Sequence, residues 1–187
     1  MAKEAGQIRE EELDAQREAV RRTALAQIRQ YGDAALRLEA RPVENFDDDL
    51  KRLVARMKRL MVDANGVGLA ATQVGVLRRV VVFQEADEEP IALVNPAIVE
   101  RSDELTTEDE GCLSLQGVLV PVERAAAVSI EGKDETGAEV RLELAEPDAR
   151  VVQHEVDHLD GVLIIDRTTP EARREALAVL RPRVALV

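Results

Sequence analysis

Residues 147–161 read Pro147-Asp148-Ala149-Arg150-Val151-Val152-Gln153-His154-Glu155-Val156-Asp157-His158-Leu159-Asp160-Gly161. Pro147 and Asp148 supply a proline and an N-cap candidate at the front, Gly161 supplies a stop, and the residues between them read as a helix to about Leu159. His154 and His158 are the only histidines of the chain. Four residues apart on a helix, their imidazoles share one face and can hold one cation. Two histidines placed at random in such a chain fall four apart about once in a hundred times, which weighs against two unrelated surface histidines. Glu155 directly follows the first, where a carboxylate serves as general base beside a bound metal.

Working outward, the segment before this helix is a run of short β-branched stretches: Val80–Phe83, Ile91–Val94, Val118–Val122, Val128–Ile130 and Val140–Leu144. The last two flank the turn-rich cluster Glu131–Gly137, so they read as an antiparallel hairpin. Earlier still, Leu50, Leu53, Val54, Met57, Leu60 and Met61 recur at helical spacing between Phe46 and Asn65, with Asn45 or Asp47 as cap and Asn65-Gly66 as stop. A last helix is expected over Pro170–Leu180, stopped by Pro182. Helices set apart from strands, without β-α-β alternation, define an α+β fold. We expect antiparallel sheets packed around a central metal-binding helix, with an N-terminal and a C-terminal helix.

The chain has 187 residues, 45% hydrophobic and 33% charged, enough for one sizeable core. Lys3–Arg22 is charged and Pro-free with sparse apolar positions, a helix with little core-facing surface. The expected division is therefore a helical extension over 1–22 and a single catalytic domain over 23–187. Aromatics are 2% and Trp is absent, so Val, Leu, Ile and Ala must fill the core. A formal net charge of -12 argues against free nucleic acid as partner. Locally, Arg167, Arg173, Arg174, Arg181 and Arg183 outnumber Glu171 and Glu175, a pattern that a solvated helix face also explains. The N-terminus has no apolar signal core, and no apolar run approaches the roughly 18 residues that span a bilayer. A soluble, cytoplasmic protein is expected.

A catalytic divalent site has three protein ligands and one open position, so the two histidines need a partner. The metzincin pattern would place a third His at position 164, which is Ile164. Glu171 and Glu175 are candidates, each in a helix that reads as surface. Cys112, the single cysteine, is the alternative, in Glu110-Gly111-Cys112-Leu113-Ser114 just before a strand. A lone cysteine is by default a small buried apolar residue, but its thiolate is a strong metal ligand. A Cys/His/His set admits Fe2+, Zn2+, Ni2+ or Co2+.

Three segments together resemble the peptide deformylases, in that family's order and spacing: Gly66-Val67-Gly68-Leu69-Ala70-Ala71-Thr72-Gln73-Val74-Gly75, then Glu110-Gly111-Cys112-Leu113-Ser114, then Gln153-His154-Glu155-Val156-Asp157-His158-Leu159. The resemblance runs from about Ala26 to the end of the histidine helix and leaves residues 1–22 outside. It implies removal of the formyl group from N-formylmethionyl nascent peptides, with release of formate. It implies that Cys112, His154 and His158 hold one divalent metal, Fe2+ in the cell, and that Glu155 is the general acid/base. It assigns stabilisation of the oxyanion to the Gln73 side chain and the Leu113 backbone N–H, and close approach of backbone to peptide to Gly68. Val151, on the ligand face of the helix, and Val67 can wall a methionine pocket or be ordinary core residues. Nascent-chain substrates also make ribosome contact through the C-terminal basic helix a sensible expectation.

The chain departs from the family in two places. Many members have Pro two residues after the motif serine, where this chain has Gln116 in Leu115-Gln116-Gly117, and Val118–Val120 lacks an arginine that some members use on the peptide. Two other readings compete. One is a metallopeptidase with a glutamate third ligand. The other is a non-catalytic acidic interaction module with a vestigial metal site, although no fourth Cys or His exists to close a structural site.

Overall fold

The chain begins with a helix, α1 (Ala2–Leu25), whose side chains are exposed from Asp14 through Thr23 and buried at Ala24 and Leu25. The structure, a computed structural model, describes residues 2–85 and 88–181, with side chains from Asp14 onward. After a 3-10 turn at Ala34–Arg37 comes α2 (Asp48–Asp63), capped by the Asp47 side chain, which accepts from Leu50 N at 3.0 Å. Leu50, Val54, Met57 and Met61 form the buried stripe of α2, each side chain contributing about 1.5–3 kcal/mol by leaving water. Asn65, at φ 57, ends the segment.

Seven strands follow among the described residues: β1 (Gly68–Ala70), β2 (Val80–Phe83), β3 (Ile91–Arg101), β4 (Leu105–Gly111), β5 (Leu119–Ala125), β6 (Ala127–Lys133) and β7 (Glu139–Ala145). Five form an antiparallel sheet in the order β1-β2-β3-β6-β7, and β4 and β5 form a separate ribbon. Both faces of β2 are buried, which is why it reads as an unbroken apolar run. Val80 and Val82 join α2 on one face of the sheet, while Val81 and Phe83 join α3 (Asp148–Leu159) on the other.

Helix α3 packs on the sheet through Ala149, Val152 and Leu159 and meets the ribbon with Arg150, His154 and Asp157. A short α4 (Ile164–Arg167) and α5 (Pro170–Leu180) cover the ribbon, where Val118, Val120 and Val122 pack with Ile164, Ile165 and Ala176. Antiparallel sheets around the histidine helix are the arrangement expected.

Several boundaries move. Asp148 opens α3 as its first residue and makes no cap bond, so it serves the helix dipole instead. β6 continues to Lys133, and the turn closes over Asp134–Ala138, where Asp134 Oδ1 accepts from Thr136 N at 2.7 Å and Ala138 N at 3.0 Å. β3 runs past Val94 to Arg101 with register shifts around Pro96, and β4 was not anticipated, because Leu-Thr-Thr-Glu-Asp-Glu-Gly carries no apolar alternation. Pro182 lies outside the described residues.

Candidate metal centre

Cys112 follows β4 directly and stands at the turn into β5, where Leu115 N donates to its carbonyl at 3.0 Å and Ser114 N points at its sulfur at 3.4 Å. The ribbon thereby carries the thiol to the ligand face of α3. The ligand atoms of Cys112, His154 and His158 all lie within 4.8 Å of one another, with Cys112 Sγ 3.2 Å from His158 Nε2. They are the metal-capable group of this kind among the described residues. Glu171 and Glu175 are exposed on α5, away from this group, and Glu171 pairs with Arg174 at 3.0 Å.

A second layer orients the first. Glu110 Oε2 lies 3.0 Å from His154 Nδ1, which puts the proton on Nδ1 and leaves Nε2 as the ligand atom. Arg124 grips Glu110 with two N–H donors at 2.9 and 3.0 Å and bonds Asp157 as well. Arg150 adds a bond to Glu110 at 3.0 Å, and Arg167 reaches Asp157 at 2.6 Å. Burial pushes the Glu110 carboxyl up, but hydrogen bonds from His154 and Arg124 outweigh it and hold the group at about 2. A fixed buried carboxylate therefore faces the ligand set from behind.

Burial disfavours charge on both histidines. On His154 the hydrogen bonds to the Cys112 sulfur and Glu110 prevail and raise its pKa well above the ordinary value. Burial lowers that of His158, and the charge on His154 lowers it further. Three donors, one thiol sulfur and two imidazole nitrogens, are thus turned toward one another. A divalent cation of the zinc or iron type fits this donor set. Two buried side-chain polar atoms lack a hydrogen-bond partner among the described residues, Glu155 Oε2 and His158 Nδ1, and both are here. Incomplete satisfaction confined to one place marks a functional site. Burial pushes the Glu155 carboxyl up to about 7, with His154 opposing and Glu110 adding to the rise.

Cys112, His154 and Glu155 open onto a cavity of about 600 Å³, also lined by Val67, Gly68, Gln73, Leu113 and Val151. Gln73, 1% exposed in the 3-10 turn Ala71–Val74, is locked by its own amide. Its Oε1 accepts from Ala70 N at 2.8 Å, and its Nε2 reaches Ser114 Oγ at 3.1 Å and Cys112 Sγ at 3.7 Å. Leu113 N makes no hydrogen bond among the described residues. Gly68 is pressed against Glu155: an added Cβ would fall 2.9 Å from its Cδ. Its bareness therefore makes room for the carboxylate as well as for a ligand. Val67 is 62% exposed at the rim, whereas Val151 is half-buried beside the histidines.

The roles of Arg124, Arg150 and Asp157 had no local signal, because they act across elements far apart in sequence. Glu110 stood in a recognisable segment, but only the structure shows it behind His154. Arg21 and Leu25 of α1 also line the cavity.

The model of the family described as Polypeptide deformylase matches residues 25–174. The chain is 47% identical over 158 residues to the peptide deformylase of Acidothermus cellulolyticus, covering 84% of this chain and 87% of that one. With the peptide deformylase of Thermotoga sp. strain RQ2 it shares 44% identity over 146 residues, 78% of this chain and 88% of the other. Among solved structures, a peptide deformylase from Legionella pneumophila superposes with a TM-score of 0.78 at 38% identity, covering 82% of this chain and 91% of that one. The peptide deformylase of Thermotoga maritima gives 0.74 at 44% identity, covering 76% and 97%.

Proposed function

This chain belongs to the polypeptide deformylase family, and on that premise we propose that Cys112, His154 and His158 hold its metal and that Glu155 moves the proton of the reaction. The protein is a metal-dependent amide hydrolase that removes the formyl group from the N-terminal formylmethionine of nascent proteins and releases formate. The observation that carries the residue assignment is the convergence of the three ligand atoms beside the unpartnered Glu155 carboxylate oxygen in one cavity.

When bound, the metal supplies Lewis acidity, polarising the formyl carbonyl and making a nucleophilic oxygen available near neutral pH. Glu155 would take a proton from the attacking water and return it to the amide nitrogen as the C–N bond breaks. Formate and a free amino terminus result. The Gln73 amide, held by Ala70 N so that its NH2 end faces the sulfur, and the Leu113 N–H donate to the oxyanion that forms in between. Gly68 leaves room for the reacting carbon against Glu155, while Val67 and Val151 wall the methionine side chain. Formate release from formyl-Met-Ala-Ser tests this reading; metal-loaded protein that yields none refutes it.

Likeness to the family supports Fe2+ as the metal in the cell; the donor set itself admits Zn2+, Ni2+ and Co2+ equally, and metal analysis after anaerobic purification decides among them. We read 23–187 as the catalytic domain, a reading supported by the family match from residue 25, and the cytoplasm as its location. No helix among the described residues is long and apolar enough to cross a membrane. Ribosome contact through the C-terminal arginines rests on charge alone. Arg167, Arg173 and Arg174 are each paired with a carboxylate, so the contact falls to Arg181 and to Arg183, which lies outside the described residues. Undiminished pelleting of an Arg181→Glu, Arg183→Glu double variant with ribosomes would dismiss it.

A further inference from the structure

A second cavity of about 510 Å³ adjoins the catalytic one, and Arg21 and Asn65 line both. Its remaining walls come from the end of α2, through Val62 and Asp63, and from the exposed part of α1, through Asp14, Arg17, Glu18 and Val20. This part of α1 lies outside the family match and buries nothing from Asp14 to Thr23, so core packing does not account for its place. Val20 and Val62 are 44% and 52% exposed in the second cavity, and Val67 and Leu119 are 62% and 71% exposed around the first. Exposed apolar side chains therefore flank both cavities, with Arg21 and Asn65 at their junction.

The charge around the second cavity is uneven. Asp14 and Glu18 are each answered by an arginine of α1, at 3.7 and 3.6 Å, while Asp63 has no ion pair among the described residues. Asp63 is also the last residue of α2, whose final turn holds no basic group, so its carboxylate sits at the unfavourable end of the helix dipole. A residue that breaks a local rule beside a functional cavity is a candidate for recognition.

We propose that α1 and the end of α2 form an extended subsite for the nascent peptide beyond its first two residues, and that this subsite favours a lysine or arginine side chain. The aliphatic stem of such a residue lies over Val20 and Val62 and its charge faces Asp63. The assignment rests on the deformylase reading, since it is continuity with the catalytic cavity that makes the occupant a substrate peptide. It gives the N-terminal helix a part in substrate choice.

The test compares kcat/KM for formate release from formyl-Met-Ala-Lys-Lys-Ser and formyl-Met-Ala-Glu-Glu-Ser, with formyl-Met-Ala as the short reference, in full-length protein. The wild type is expected to favour the lysine peptide by about two- to fivefold at low salt, the range of an exposed ion pair. The ratio should fall toward one in high salt and in Asp63→Asn, and rise further in Val20→Glu, which adds a second carboxylate. Equal rates on the two long peptides, or a ratio that Asp63→Asn and Val20→Glu leave unmoved, overturn the subsite while release from formyl-Met-Ala keeps the deformylase reading intact. No formate from any of the three overturns both.

Discussion

Gly68 and Glu155 occupy each other's space: a β-carbon on the glycine would stand 2.9 Å from the glutamate Cδ and 3.0 Å from its Cγ, inside van der Waals contact. The atoms met are those of the glutamate's own carboxylate end, so any shift that relieves the clash displaces the group proposed to carry the proton. Gly68→Ala should therefore leave fold and metal content intact while lowering kcat/KM at least about a hundredfold, the scale of a displaced catalytic group. Activity near wild type with unchanged metal would show that Glu155 tolerates the shift.

Glu155→Gln keeps size and burial but cannot carry the proton. Formate release is expected to drop by about 10²–10⁴-fold with metal bound as in the wild type. Turnover within tenfold of wild type would assign the proton transfer to another group.

Cys112→Ser separates the third-ligand readings. With Cys112 as ligand, metal content per chain falls sharply; a glutamate ligand from α5 would leave it unchanged, although Glu171 and Glu175 are exposed and outside the ligand group.

The second layer can be weakened without touching a ligand. Glu110→Gln should reduce metal affinity about 10–100-fold, because His154 loses the carboxylate that orients its ring. Arg124→Met should cost stability instead, about 1–3 kcal/mol, since Glu110 and Asp157 lose their common cation and keep only Arg150 and Arg167. Competition with a chromophoric chelator and denaturant unfolding measure the two effects.

Asp166 supplies a pH-dependent test of stability away from the metal. Burial raises its pKa, but the hydrogen bonds from Arg37, Leu163 N and Arg173 prevail and hold the carboxyl below its ordinary 3.8. A depressed folded-state pKa contributes stability that is complete above the unfolded value and is lost as pH falls through 3.8 toward the folded one. Asp166→Asn should unfold more easily at pH 7 and show a shallower acid-side decline between about pH 5 and pH 2. Parallel stability curves for the two proteins would remove this residue from the acid transition.

The histidine helix, the amphipathic α2 and the hydrophobic strand β2 were legible because their pattern and burial coincide: period 3.6 for the helices, an unbroken apolar run for β2. β4 was not, because a ribbon strand with one buried residue, Glu110, has no apolar period to read. The three proposed ligand residues and Glu155 belong to short segments of distinctive composition, whereas Arg124 serves Glu110 and Asp157 from a third place in the chain, a relation that exists only after folding. Asn65 and Gly66 marked the end of α2 in advance, but not the groove that begins there.

The proposed thiol ligand comes from the turn of the β4–β5 ribbon and both imidazoles from α3, so a cation held by all three would be a cross-link between two parts of the chain that otherwise meet through side chains. Mass action then couples occupancy to folding: at a free metal concentration a thousand times Kd, binding to the folded state alone adds about 4 kcal/mol. In a small domain of overall stability about 5–15 kcal/mol, that is a large share. The melting temperature would then be a readout of the metal supplied, and a chelator would act as a denaturant by unlinking the ribbon from the helix.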